Sequence, residues 1–368
     1  MFVERLIGGL AYCLTVVVGF NCIKRKRVVL GLNISIISLI VMAFFYIPGE
    51  EADLSRIREM TENWGNFSLG EFFVAKLSDS SVPVAWLLYY VVAKIGVIGV
   101  LPAFCTLVFY GNAFHVFKRI DQTRQVNHVT LAISFLIFMA SGAFVEVISG
   151  VRCFMAFSIV ARLAFDEVDK NKTCFLHLPF YVIASLIHSA ALVLTLLWLT
   201  YSVVRSKRMS LVKFVFNILI IVAALVVIFY FGRSYIDDML NLANEFLSNN
   251  LYSYAWEYLI GFLQVVLYIY ILVKADKQGK RDFVNFSIIL IVVVIGLCFE
   301  YNIFHRFITA LSFFMVPMVA VSDRQIYLQR YYDKPSVKWN FLYYFALVIL
   351  FVACVRGNLC GYKFMLIG

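Results

Sequence analysis

Between Lys170/Lys172 and Arg205/Lys207/Arg208 the chain runs from Cys174 to Val204 without an Asp, Glu, Lys or Arg. That run is about 31 residues, well beyond the ~20 that cross a bilayer as a helix. Lysine and arginine clusters beside spans favour the cytoplasm. A single crossing would leave one of the two clusters on the wrong side. Two short helices joined near His188-Ser189 keep both clusters inside and lift His188 to the outer apex. Each would have about 15 residues, or ~22 Å of rise, short of a ~30 Å hydrocarbon core. The apex is therefore expected in a water-filled cavity below the outer surface.

The same logic organises the whole chain. It is 62% hydrophobic and only 15% charged, where soluble domains run near a quarter charged. This predicts an all-α polytopic membrane protein. The basic cluster Lys24–Arg27 follows the first apolar run, Val3–Phe20, instead of preceding it. That excludes a cleavable signal peptide and places the N-terminus in the periplasm. Alternating from there, the apolar runs give about twelve transmembrane helices. Val82–Lys94 is too short to span and reads as a re-entrant or interfacial helix. Residues 1–368 form a single transmembrane domain with periplasmic loops near 48–81 and 232–255. The first of these loops is acidic. The net charge of +10 comes from cytoplasmic loops, which indicates contact with anionic membrane lipid and no nucleic-acid partner. The eight cysteines form no CxxC pair and read as small core residues.

The residues of chemical interest fall in the outer half. Arg152 lies at the outer end of the run Val151–Phe165, close to His188. Asp53, Arg56, Glu146, Glu300, His305 and Arg306 reach the same face. A guanidinium in an apolar bundle is costly unless paired or solvated, and arginine forks suit phosphate oxygens. A carboxylate or histidine can take a proton from a hydroxyl. Structural roles compete with these: an Arg152–Glu146 pair, a Glu300–Arg306 pair, or His188 as a turn residue. His115, His128 and His177 lie near inner ends, where no partner or role is expected. No P-loop, GxGxxG, HExxH or GxSxG signature occurs, and no metal site is indicated.

The stretch Gly150-Val-Arg152, Ala156, the charged loop 166–172 and Phe180–His188-Ser189 resembles the EpsG/Wzy-like family of O-antigen and exopolysaccharide polymerases. Asp53-Leu54-Ser55-Arg56 in the outer loop and Asn302-Ile-Phe-His-Arg306-Phe307 are similar to two further family elements. Cys153 departs from the Gln that often follows the arginine, and the tyrosines that often follow the aspartate are missing. The resemblance implies a GT-C-like bundle in the bacterial inner membrane, acting as a metal-independent glycosyltransferase without a cofactor. It would join undecaprenyl-pyrophosphate-linked oligosaccharide repeat units at the periplasmic face, alongside a chain-length regulator protein. Arg152 and Arg306, with Arg56 assisting, would hold pyrophosphate. Asp53, Glu146 or His188 would be the base, and Glu300 and His305 are further candidates. A flippase of lipid-linked sugars would share an arginine-lined cavity, but the halves of this chain show no matching broken helices. A membrane O-acyltransferase would need a partnered inner histidine.

Overall fold

The computed structural model describes residues 2–48, 53–78, 80–123, 126–141, 144–170, 174–205, 255–276, 281–298, 301–322, 344–352 and a few others near the C-terminus. The described chain is helical apart from a two-residue ladder. In it Tyr46 and Ile47 pair antiparallel with Phe364 and Lys363.

Two long helices open the chain, α1 (Phe2–Lys24) and α2 (Val28–Phe44). The next segment holds α3 (Asp53–Trp64), α4 (Leu69–Phe72), a π-helical turn (Phe73–Leu77) and α5 (Pro83–Ile95). Next come α6 (Val100–Thr123), α7 (His128–Ser141), α8 (Phe144–Ser149), α9 (Val151–Asp169), α10 (Leu178–Ile187) and α11 (Ser189–Arg205). After residues outside the described set follow α12 (Ala255–Asp276), α13 (Arg281–Gly296) and α14 (Tyr301–Ser322).

The burial pattern separates a core from a rim. Every residue of α7 from Thr130 to Ser141 is buried, as expected of a central helix that is apolar all round. Tyr12 Oη donates to the Met139 carbonyl at 2.7 Å, and Gln264 Nε2 donates to that of Ser141 at 3.1 Å. These bonds satisfy carbonyls that the end of α7 would leave open. Phe109, Phe138 and Phe313 join α6, α7 and α14 through edge-to-face contacts of 5.3 and 5.5 Å. The rim is different. Leu10, Leu14 and Val17 on α1, and Ile37 on α2, are at least half exposed. So much open apolar surface belongs against lipid. Among the described residues two helical stretches can cross a membrane by length and composition, Ile7–Lys24 and Val100–Gln122, while seven other apolar helices are shorter. The expected span Leu211–Phe231 and the loop 232–255, except Ala255, lie outside the described residues.

Two expectations about element boundaries meet the structure directly. α5 has 13 residues. Pro83 opens it, where a missing N–H costs nothing, and Gly96 at φ +73° closes it. The run Cys174–Val204 does break at His188, which is extended at φ −151° and ψ 125°. Its halves are unequal, though: α10 has 10 residues and α11 has 17. Pro179 near the start of α10 and a 3₁₀ turn at Phe175–His177 take up the difference.

The two halves fold back on each other, and one buried carboxylate shows it. Glu167, 2% exposed, lies 2.9 Å from His177 Nδ1 and accepts from Tyr181 Oη at 3.3 Å and Trp198 Nε1 at 3.0 Å. Residues about ten places before and ten places after His188 are thus neighbours. α10 and α11 form an antiparallel hairpin with His188 at its apex.

The expectation that the inner histidines lack partners is therefore wrong. His177 meets Glu167, His115 meets Asp166 at 3.3 Å, and His128 meets Asp121 at 3.3 Å. These pairs join different helices, so their meeting depends on helix orientation that charge counting does not resolve.

Candidate active site

The corner between α8 and α9 begins the site. Gly150 separates the two helices and caps α9. A Cβ on Gly150 would sit 2.8 Å from the Phe154 ring and 3.1 Å from the Glu146 carbonyl, so only glycine fits without displacing a neighbour. The tight corner exposes Ser149–Cys153 along one wall of a small, half-open pocket. His188 from the hairpin apex and Arg306 from the start of α14 form the opposite walls, and Ile57 of α3 lies over it.

α3 covers the pocket because it is amphipathic. Leu54, Ile57, Thr61 and Trp64 are buried at helical spacing, while Arg58, Glu59 and Glu62 face out. Trp64 packs edge-on to Phe72 at 5.3 Å and Trp86 at 5.1 Å, anchoring α3 to α4 and α5. A capping box between Ser68 and Glu71 starts α4. Those hydrogen bonds from Ser68 hold the Glu71 carboxyl below its usual range.

Of the residues singled out in the sequence, Arg152, His188 and Arg306 line one pocket. Arg56 is exposed on α3 beside Ile57 and does not line it. Asp53 begins α3, but its side chain lies outside the described set, as does the whole of Glu300. Glu146 does not pair with Arg152. Its Oε2 lies 2.8 Å from His305 Nε2, outside the in-line direction of a ring N–H bond. Ile57, Ser149 and Cys153 were not foreseen as lining residues. Cys153 is buried at 2% exposure and occupies the position next to Arg152.

The electrostatics of the arginines set the pocket apart. Among the described residues four arginines are half-buried: Arg119, Arg152, Arg162 and Arg306. Arg119 contacts Asp169 at 3.2 Å, and Arg162 approaches Asp166 at 3.8 Å. Among the described residues no carboxylate lies within ion-pair distance of Arg152 or Arg306. His188 adds a defined donor. Its Nδ1 accepts the Ala190 N–H at 3.1 Å, so in the neutral ring the proton sits on Nε2. Two guanidinium groups and an imidazole N–H around a small pocket make a cradle for a compact anion. No cluster of three or more His, Cys, Asp or Glu that could hold a metal occurs among the described residues.

Fold and site together define a helical membrane protein with an arginine-lined pocket where α9, α14 and the α10–α11 apex meet. The family model described as the EpsG family matches residues 72–364, and the chain belongs to that family. The match contains Arg152, His188 and Arg306 but begins after Asp53–Arg56. Comparisons with curated proteins and with solved structures give no match.

Proposed function

We propose that this protein is a polysaccharide polymerase of the bacterial inner membrane. It transfers a growing glycan from undecaprenyl pyrophosphate to the next lipid-linked repeat unit on the periplasmic side. The carrying observation is that, among the described residues, Arg152 and Arg306 have no carboxylate partner at a pocket they share with His188. Family membership supports the same reading.

In such a transfer the acceptor hydroxyl attacks the anomeric carbon, and the bond from that carbon to the pyrophosphate oxygen breaks. Negative charge grows on the departing lipid pyrophosphate. Donors already aimed at that charge lower the barrier without reorganising. Arg152 and Arg306 supply fixed charge, and His188 Nε2–H supplies a hydrogen bond. The proton of the acceptor hydroxyl goes to a base, for which Asp53, Glu146 and His188 are the candidates; the engaged Nδ1 makes His188 a donor rather than that base. Two lipid-tethered reactants held side by side also gain rate through orientation. The reading places the N-terminus outside, about twelve spans in a GT-C-like bundle, and no metal in the reaction.

Purified protein incubated with a synthetic lipid-linked repeat unit tests this. A ladder of products supports polymerisation. Unchanged lipid would favour a flippase, and an acylated product an acyltransferase. Arg152→Ala should cut ladder formation by about 10²–10³-fold, the typical cost of one such donor, while the protein elutes as wild type does. Full-length polymer from that variant would sink the assignment.

A further inference from the structure

We propose that Glu146 and His305 form the proton-accepting unit of this site, with Glu146 as the base and His305 as the residue that positions it. This rests on the reading that the pocket holds the departing pyrophosphate. The described walls of the pocket contain two arginines and a histidine but no carboxylate. His188 spends its Nδ1 lone pair on the Ala190 N–H, so its pocket-facing chemistry is donation. The base must come from the rim.

Glu146 stands on α8, the helix that leads into the Arg152 corner, and His305 stands on α14, which carries Arg306. Glu146 lies three and four residues before Ser149 and Gly150, which places all three on one helical face, and both of the latter line the pocket. His305 directly precedes Arg306. The two side chains meet at 2.8 Å, with Glu146 27% and His305 15% exposed. Partial exposure leaves room for a hydroxyl to approach.

The pairing also accounts for the unpaired arginines. A carboxylate this near Arg152 would otherwise be drawn to it and cancel the charge that binds phosphate. His305 holds Glu146 away from both arginines, so one site keeps a base and an anion cradle separate. In the transfer, the acceptor O–H proton passes to the Glu146 carboxylate while the acceptor oxygen bonds the anomeric carbon. The electron pair of the broken C–O bond leaves on pyrophosphate, between Arg152 and Arg306.

The test separates base from scaffold by measuring turnover and the inhibition constant of inorganic pyrophosphate in the same purified protein. Glu146→Gln is expected to lower turnover about 100-fold or more, the usual weight of general-base catalysis, with pyrophosphate inhibition within threefold of wild type. His305→Gln should show the same split with a smaller loss. Formate should restore part of the turnover of Glu146→Ala. Turnover within threefold of wild type in Glu146→Gln overturns the proposal, and so does a parallel loss of pyrophosphate affinity, which would make the pair a spacer for the arginines. Failure of formate to rescue counts against it equally. Wild-type protein that makes no polymer and is not inhibited by pyrophosphate overturns the underlying functional reading, and this proposal with it.

Discussion

Glu167 is the residue whose loss should damage the fold most for its size. Its carboxylate serves three groups on two helices and the turn before them: His177, Tyr181 and Trp198. Glu167→Ala strands all three where water does not reach easily. Each buried donor left without its acceptor costs about 1–3 kcal/mol. Glu167→Gln is a finer probe. One oxygen can still serve His177 and Tyr181, as Oε1 does now, but the new NH₂ then faces the Trp198 N–H. Two opposed donors should cost about 1–3 kcal/mol. Trp198→Phe removes that N–H, so the double variant should lose less than the two single variants combined. Reversible unfolding in detergent measures each leg of the cycle. Polymer yield reports whether the hairpin still delivers His188 to the pocket, and it should fall in Glu167→Ala. A loss below about 1 kcal/mol in that variant, or a cycle that is additive, would refute the clamp.

Other outcomes follow from packing and orientation. A Cβ at Gly31 would lie 2.8 Å from Cys22 Cβ and 2.9 Å from the Gly19 carbonyl. Gly31→Ala should therefore push α1 and α2 apart and cost about 1–3 kcal/mol, read as a lower unfolding midpoint in detergent; an unchanged midpoint would contradict the close crossing. A cysteine at Met60 should react with an impermeant thiol reagent from the periplasm and one at Lys277 should not, and the reverse labelling would invert the orientation.

The sequence exposed some of this fold because some constraints are carried by single residues. An apolar run bounded by basic clusters has few solutions in a bilayer, and the fold-back at His188 is one of them. Pro83 and the shortness of the following run likewise announce α5. Arg152, His188 and Arg306 could be placed at one level because topology alone sets depth. What topology does not set is azimuth. Whether Glu146 turns toward Arg152 or His305, and whether His177 finds Glu167, depends on rotation about helix axes by fractions of a turn. That rotation follows from packing of rings such as Phe109, Phe138 and Phe313, which no local pattern encodes. One available signal was passed over: Pro179 marks the start of α10 more sharply than the apolar run does.

α9 connects the two charge systems and makes their difference informative. Arg152 is near one end and Glu167 near the other, fifteen residues apart or ~22 Å along the axis. At the Glu167 end the titratable groups are matched: Asp166 with His115 and Arg162, Asp169 with Arg119, Glu167 with His177. At the Arg152 end Glu146 meets His305, and among the described residues no carboxylate pairs with Arg152 or Arg306. A helix that neutralises its charges so fully at one end has the means to do so at the other. An unpaired, half-buried guanidinium carries a standing desolvation cost, and two at one pocket carry it twice. Water or a ligand must offset that cost, and the ligand that two arginines and an imidazole N–H would suit is a concentrated anion.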